Sequence, residues 1–174
     1  MNIIIKKEFV EEAIEYSQLS RSYTSDTHDF HEGGLNAKQR KMFEGKLGEK
    51  GIKQFFIQTE INFEEDKSSH TDADEYDFIV YGTRKKHFVD VKTRTQKFHI
   101  RTLEMVKQLQ RKKIDIYISV RLFKSYKDYK INIIGWCSKN DILKINRIEN
   151  NGYLDNYVMY DKELKKIDSF KKVL

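Results

Sequence analysis

Residues 76–92 read Tyr-Asp-Phe-Ile-Val-Tyr-Gly-Thr-Arg-Lys-Lys-His-Phe-Val-Asp-Val-Lys and contain the clearest structural pattern in the sequence. Within it, 76–81 and 87–92 are rich in aromatic and β-branched residues, which favour β-strands. The polar segment between them, 82–85, begins with a glycine and is typical of a turn. The stretch therefore predicts a β-hairpin.

The predicted hairpin brings two aspartates together. A four-residue turn pairs Tyr81 with Lys86, and the same register sets Asp77 opposite Asp90. Directly opposed residues have Cβ atoms ~5 Å apart, and two carboxylates at that distance destabilise a sheet unless a cation or a proton lies between them. Because Lys92 alone does not neutralise both, the pattern predicts a divalent metal, and oxygen ligands favour Mg²⁺ or Mn²⁺.

The same strand supplies a cation beside the two carboxylates. Alternation of side chains sets Asp90 and Lys92 on one face, ~6.6 Å apart along the strand. A metal at the aspartates would bind a phosphate oxygen, lower the pKa of a bound water and offset charge on the leaving group. Lys92 would then orient the attacking water or stabilise the transition state. These residue types suit a reaction in which water attacks a phosphate group.

A third carboxylate is expected on a helix predicted over residues 37–52, with Asn36 as its N-cap. Glu44 and Glu49 are the two alternatives, and they cannot share a face because five residues turn a helix to ~140° from the starting direction. We favour Glu49, because glycines on both sides of it permit close packing on the sheet and Ile52 follows one turn later.

The remaining elements follow from hydrophobic periodicity. A polar loop over residues 20–36 and a polar C-terminal tail lie outside these elements, and the tail has three apolar anchors, Leu164, Ile167 and Phe170. The other predicted helices are 7–19, 99–113 and a short helix from the cap Ser138 through Ile145; the other predicted strands are 54–63, 114–123 and 130–137. A helix, three strands, a helix and two strands imply an α/β fold with a mixed central sheet flanked by helices.

The composition fits one globular domain. The chain has 174 residues, of which 39% are hydrophobic, and its 33 Lys plus Arg against 27 Asp plus Glu give a net charge of +6. That length suits a single core that needs no disulfide. The basic balance favours a polyanion such as nucleic acid as partner, although solvation explains any one lysine cluster more simply.

The sequence also bears on location. It has no stretch apolar enough to span a bilayer and does not begin with the apolar core of a signal peptide. The single cysteine, Cys137, excludes an internal disulfide and a multi-cysteine zinc site, and it lies in a run that reads as a buried strand. We expect a cytoplasmic protein that does not bind membranes.

The sequence resembles the PD-(D/E)xK nuclease superfamily. The resemblance rests on Gly-Lys-Leu-Gly-Glu-Lys-Gly around Glu49, Tyr-Asp-Phe-Ile-Val around Asp77, and Val-Asp-Val-Lys-Thr-Arg around Asp90 and Lys92. The order of elements from residue 37 to 123 resembles the αβββαβ core of the restriction-endonuclease-like fold. Two departures are that no proline precedes Asp77 and that the third-strand acid is aspartate rather than the more frequent glutamate.

The resemblance implies a Mg²⁺-dependent deoxyribonuclease, in the first place an endonuclease, in which Mn²⁺ substitutes. It implies that Asp77 and Asp90 hold the metal, that Lys92 assists the attacking water and that Glu49 completes the acidic cluster. The whole chain would form one nuclease-like domain. Its parts are an N-terminal helix and loop at 1–36, a core at 37–123 and a C-terminal strand and helical extension at 124–174.

Other residues have weaker claims. Arg94 and Lys97 directly follow the predicted catalytic strand, so we expect them to contact DNA phosphates. Two polar clusters are typical of solvated loops. For His28, Asp29, His31 and Glu32 the alternative is a lid or a nucleic-acid contact, and for Asp72 with Asp74 it is a second metal site. The alternative function is a non-catalytic nucleic-acid-binding protein on the same fold. The sequence leaves open the substrate shape, DNA against RNA, and endonuclease against exonuclease. It also leaves open whether one or two metals bind and whether the protein is a homodimer.

Overall fold

The computed structural model describes residues 1–20, 35–66, 75–125, 128–150 and 154–174. Two short 3-10 helices, Asp161–Glu163 and Ile167–Val173, follow the last strand. The preceding elements, in chain order, are β1 (Asn2–Ile4), α1 (Lys7–Leu19), α2 (Leu35–Gln58), β2 (Phe63–Glu65), β3 (Phe78–Tyr81), β4 (Lys86–Arg94), β5 (Arg101–Met105), α3 (Val106–Arg111), β6 (Ile116–Ser125), β7 (Asp128–Ser138), α4 (Lys139–Ile145), β8 (Ile148–Asn150) and β9 (Asp155–Tyr160).

A mixed six-stranded sheet forms the centre, in the order β1-β7-β6-β4-β3-β2. Strands β4 and β6 are parallel, because the chain crosses over through β5 and α3 between them, and the other neighbours are antiparallel. A second sheet has the order β5-β9-β8. The predicted mixed α/β fold, with helices flanking a mixed sheet, is confirmed at this level.

The predicted hairpin and its register are confirmed. Strands β3 and β4 pair Tyr81 with Lys86 and Phe78 with Val89. The N–H of Gly82 donates to the carbonyl oxygen of Lys85 at 3.0 Å, which closes the turn. The hairpin therefore sets the positions of the aspartates at its open end.

The strand predicted over 54–63 is wrong. Helix α2 continues to Gln58, and only Phe63–Glu65 is extended. Phe55 and Phe56 belong to the buried core, so tertiary packing of the helix overrides the β-preference of these aromatics.

The helix predicted over 99–113 is also wrong in its first half. Residues Arg101–Met105 form β5, which pairs with β9, and α3 begins only at Val106. The helical spacing of apolar residues is a property of this segment alone. The strand that pairs with the segment, Asp155–Tyr160, lies more than fifty residues later in the chain. A pattern within the segment cannot reveal that partner.

The C-terminal part agrees with prediction where local signals are strong. The N–H of Asp141 donates to Ser138 Oγ at 3.1 Å, so Ser138 caps α4 as expected. Ile167 and Phe170 are buried in the main core. Cys137 is buried in a second core beside α4, and burial raises the pKa of its thiol to about 12. No helix among the described residues is both long and apolar enough to cross a membrane.

Candidate functional site

Asp90 and Lys92 lie on the face of β4 that α2 does not cover. A Cβ atom added to Gly48 of α2 would lie 1.8 Å from Thr93 Oγ1, so this helix packs directly on the Thr93 side of the strand. Because side chains alternate along a strand, Asp90 and Lys92 point to the opposite face. Asp90 is only 6% exposed there.

Two carboxylates contact the ammonium of Lys92. Its Nζ lies 2.8 Å from Asp90 Oδ2 and 2.5 Å from Glu104 Oε2. Burial by itself would lower the pKa of Lys92, but the charges of Asp90 and Glu104 raise it above its usual value. Lys92 is therefore a protonated cation at neutral pH.

Glu104 is a site residue that the sequence did not predict. It lies on β5, is 3% exposed, and its Oε1 atom has no hydrogen-bond partner among the described residues. Burial raises the pKa of Glu104, Lys92 opposes this shift and Asp90 adds to it. The sequence did not reveal Glu104 because residues 99–113 were predicted to be helical, and the side chain reaches Lys92 from a strand, β5.

Strand β6 adds two polar side chains beside the cluster. The parallel register of β4 and β6 sets Tyr117 beside Asp90 and Ser119 beside Lys92. Both hydroxyl oxygens are buried without a hydrogen-bond partner in the described parts of the chain. Burial raises the pKa of Tyr117, and the charges of Glu104 and Asp90 raise it further. This tyrosine therefore stays neutral.

Asp77 lies one residue before β3, and its side chain and backbone both form hydrogen bonds with β4. The N–H of Val91 donates to Asp77 Oδ2 at 2.6 Å, and the N–H of Asp77 donates to the carbonyl oxygen of Val89 at 2.9 Å. Alternate N–H groups of β4 face β3, so the carboxylate occupies the place of the next backbone acceptor. Regular pairing ends one step short of the predicted pair of Asp77 with Asp90.

The Asp77 carboxyl group senses charges from both α2 and β4. Burial raises its pKa well above the ordinary value, and the charges of Glu49 and Asp90 raise it further, while Lys46 and the Val91 N–H oppose the shift. The pKa of Asp77 thus responds to Glu49 from α2 and to Asp90 from β4.

Of the two glutamates considered on α2, Glu49 is the one that acts on Asp77. Its Oε2 lies 2.5 Å from Lys46 Nζ. Burial would lower the pKa of Lys46, but the charges of Glu49 and Asp77 raise it above its usual value. Glu44 instead pairs with Arg40 at 2.8 Å. Lys46 is a second site residue that the sequence did not predict, because a lysine on a helix usually points to solvent.

The two residues expected to contact phosphate have different surroundings. The Arg94 side chain is 9% exposed, and its Nη1 lies 3.0 Å from Asp161 Oδ1 and 2.9 Å from the His99 carbonyl oxygen. Lys97 is exposed. Arg94 thus has internal partners, whereas Lys97 is open to solvent.

Carboxylate oxygens are the ligands that a hard divalent cation prefers, and Asp77 and Asp90 would be the ones to supply them. Among the described residues, no three His, Cys, Asp or Glu side chains gather closely enough to hold a metal ion. Mg²⁺, however, usually takes one or two carboxylates and completes its shell with waters and phosphate oxygens, so Asp77 and Asp90 suffice chemically. The polar clusters His28, Asp29, His31 and Glu32, and Asp72 with Asp74, lie outside the described residues.

Comparisons of the chain with models of protein families, with curated proteins and with solved structures found no match. The functional proposal therefore depends on the side chains of this chain alone.

Proposed function

We propose that the protein is a metal-dependent deoxyribonuclease that hydrolyses phosphodiester bonds. One observation carries the proposal: Asp77 lies within electrostatic reach of both Glu49 and Asp90, and Asp90 contacts the ammonium of Lys92 at 2.8 Å. Several carboxylates beside a lysine combine metal ligands with a cation for the phosphate.

The order of elements supports a restriction-endonuclease-like core. Helix α2, strands β2, β3 and β4, helix α3 and strand β6 follow the order αβββαβ, with β5 inserted before α3. Asp90 lies on the third of these strands, Asp77 directly precedes the second, and Glu49 lies on the first helix, which supports the proposed core.

Asp77 and Asp90 would hold Mg²⁺, and Mn²⁺ would substitute for it. Glu49 would complete the acidic cluster from α2, either as a ligand or through a bound water. When bound, the metal supplies Lewis-acid activation of a phosphate oxygen and of water. Without a cation, the charges of Glu49 and Asp90 disfavour ionised Asp77, so a divalent ion would relieve a repulsion that the fold imposes.

Lys92 acts as a cation in this proposal. Because Asp90 and Glu104 raise its pKa, it keeps its proton at neutral pH and cannot accept one from the attacking water. Its N–H groups orient that water and stabilise negative charge that develops on the phosphate. The contact with Glu104 holds the ammonium in place.

Cleavage assays test the proposal. Supercoiled plasmid, single-stranded DNA and branched DNA are incubated with Mg²⁺, Mn²⁺ or EDTA, and wild type is compared with Asp90→Asn and Lys92→Ala. We expect both variants to lose at least about 100-fold in rate, while the exposed control Glu15→Gln keeps full activity.

Two results would count against the nuclease. Equal cleavage by wild type and Asp90→Asn would identify a contaminating nuclease. Salt-dependent DNA binding that Mg²⁺ does not alter, without cleavage in any metal, would favour the non-catalytic nucleic-acid-binding protein. Circular dichroism of each variant separates loss of chemistry from loss of fold.

A further inference from the structure

The turn between β4 and β5, residues 95–100, presents apolar side chains to solvent. Phe98 is 73% exposed, more than any other large hydrophobic residue in the described parts of the chain, and Ile100 is 52% exposed. Single exposed apolar residues are common on protein surfaces. Here two of them lie within three residues, directly after the strand that carries Asp90 and Lys92.

Two arginines fix the backbone of this turn. Nη1 of Arg94 donates to the His99 carbonyl oxygen at 2.9 Å, and Nη2 of Arg121 donates to the same oxygen at 3.1 Å. Both arginines are largely buried and also pair with Asp161, at 3.0 and 3.1 Å. The N–H of His99 donates back to Gln96 at 3.2 Å. Three hydrogen bonds to the backbone of His99 therefore fix the turn that bears the exposed ring of Phe98.

Exposed cations and an apolar cleft surround the turn. Lys97 and Lys162 are exposed, whereas the neighbouring acid, Asp161, is neutralised by the arginines. Ile100, Tyr160, Asp161 and Lys162 line a cleft of about 360 Å³. The surface thus combines an aromatic ring, free positive charge and an apolar recess.

Unpaired nucleobases fit such a surface. Aromatic side chains stack on the face of any base, and lysines contact the phosphates between bases. In a continuous duplex the base faces are already stacked on one another, so a ring like Phe98 finds a partner only where bases are unpaired. The ring also contributes little to folding, because exposure forfeits its hydrophobic stabilisation.

We propose that the turn at residues 95–100 is a stacking platform for an unpaired nucleobase, with Phe98 against the base and Lys97 and Lys162 at the phosphates. This inference names single-stranded DNA, or the single-stranded part of a branched DNA, as the substrate class, and it rests on the proposed nuclease function. Phe98 follows Lys92 by six positions, so their Cα atoms are at most ~22 Å apart. One strand can therefore contact both the platform and the site.

Binding in EDTA tests the platform without any cleavage. Fluorescence anisotropy measures the affinity for a labelled oligo-dT strand and for a blunt duplex, with wild type, Phe98→Ala, Phe98→Trp and the control Ile57→Ala, whose side chain is 51% exposed on α2. We expect Phe98→Ala to weaken single-strand binding at least about fivefold, and Phe98→Trp to restore it. Duplex binding by Phe98→Ala and single-strand binding by Ile57→Ala should stay within about twofold of wild type.

Equal single-strand affinities of wild type and Phe98→Ala would overturn the proposal, as would wild type that binds no single strand. Vesicles of phosphatidylcholine and phosphatidylserine supply a further arm. If Phe98→Ala lost vesicle binding and not DNA binding, the turn would belong to a membrane contact instead.

The outcome is separable from that of the nuclease proposal. If wild type cleaves DNA but Phe98→Ala binds single strands as tightly as wild type, the stacking platform is wrong and the nuclease proposal stands. If single-strand binding depends on Phe98 but the protein cleaves no DNA, the stacking platform stands and the nuclease proposal is wrong.

Discussion

The backbone N–H of Val91 donates to the carboxylate of Asp77 at 2.6 Å, which ties the start of β3 to the middle of β4. The contact fixes the Asp77 side chain beside the strand that carries Asp90 and Lys92. It needs only an acceptor oxygen, so an amide in place of the carboxylate keeps the hydrogen bond and removes the charge. Structure and chemistry at this position can therefore be separated by one substitution.

Asp77→Asn should stabilise the protein and abolish its activity. Burial and the charges of Glu49 and Asp90 raise the pKa of Asp77, so its ionised form is disfavoured in the folded state. We expect Tm in metal-free buffer to rise by ~2–4 °C, and cleavage to fall at least about 100-fold. Scanning calorimetry and the plasmid assay measure the two effects. A lower Tm with full activity would contradict this account of Asp77.

Gly48→Ala should loosen the contact between α2 and β4. The new methyl carbon would lie 1.8 Å from Thr93 Oγ1 and 2.9 Å from Thr93 Cβ, and rotation of the threonine cannot relieve the second contact. We expect a loss of ~1–3 kcal/mol in the free energy of unfolding. Gly45→Ala is the matched control, because nothing lies within 4 Å of its new carbon, and it should gain ~0.5–1 kcal/mol. Urea unfolding measures the free energy of unfolding of both variants. Equal changes in Gly48→Ala and Gly45→Ala would exclude close packing at Gly48.

The part of the site that could be predicted from sequence is the part that local pattern controls. The register of the hairpin follows from its turn length, and that register carries Asp77 and Asp90 to the same end of the sheet. The glycine beside Glu49 indicated a helix face that lies on the sheet, and Gly48 does pack there.

The part that could not be predicted depends on contacts distant in sequence. Glu104 points at Lys92 only because β5 pairs with β9, a strand more than fifty residues away. Lys46 is buried beside the ring of Tyr16, which lies 4.0 Å from its Nζ and belongs to α1. No residue next to either side chain in the sequence indicates that burial.

Glu104→Gln should impair cleavage without unfolding the protein. The substitution leaves Asp90 as the remaining carboxylate in contact with the Lys92 ammonium, so the cation is held less firmly. We expect a rate ~10–100-fold below that of wild type. The rate is measured at saturating Mg²⁺ together with near-ultraviolet circular dichroism, and Glu15→Gln is the control. Unchanged cleavage by Glu104→Gln would show that Asp90 alone positions the lysine.

Glu65→Gln should destabilise the protein at neutral pH but not in acid. Burial alone would raise the pKa of Glu65, but hydrogen bonds from Lys50 and Lys53 lower it below the ordinary 4.5. The stabilisation is therefore complete above pH 4.5 and is lost as the pH falls through the lower, folded-state pKa.

We expect Glu65→Gln to cost ~1–3 kcal/mol at neutral pH. The difference from wild type should shrink on acidification below pH 4.5. Denaturant unfolding at a series of pH values measures this, with Glu15→Gln as the exposed control. A difference that stayed constant with pH would rule out a contribution from the charge of Glu65.

The most direct test of the proposed site is the position of a divalent ion in a crystal soaked with Mn²⁺. Anomalous scattering locates the metal without reference to activity, and a parallel crystal of Asp90→Asn serves as the control. We expect a peak between the carboxylates of Asp77 and Asp90 in wild type and its loss in the variant. An empty site, or a peak bound by other residues alone, would contradict it.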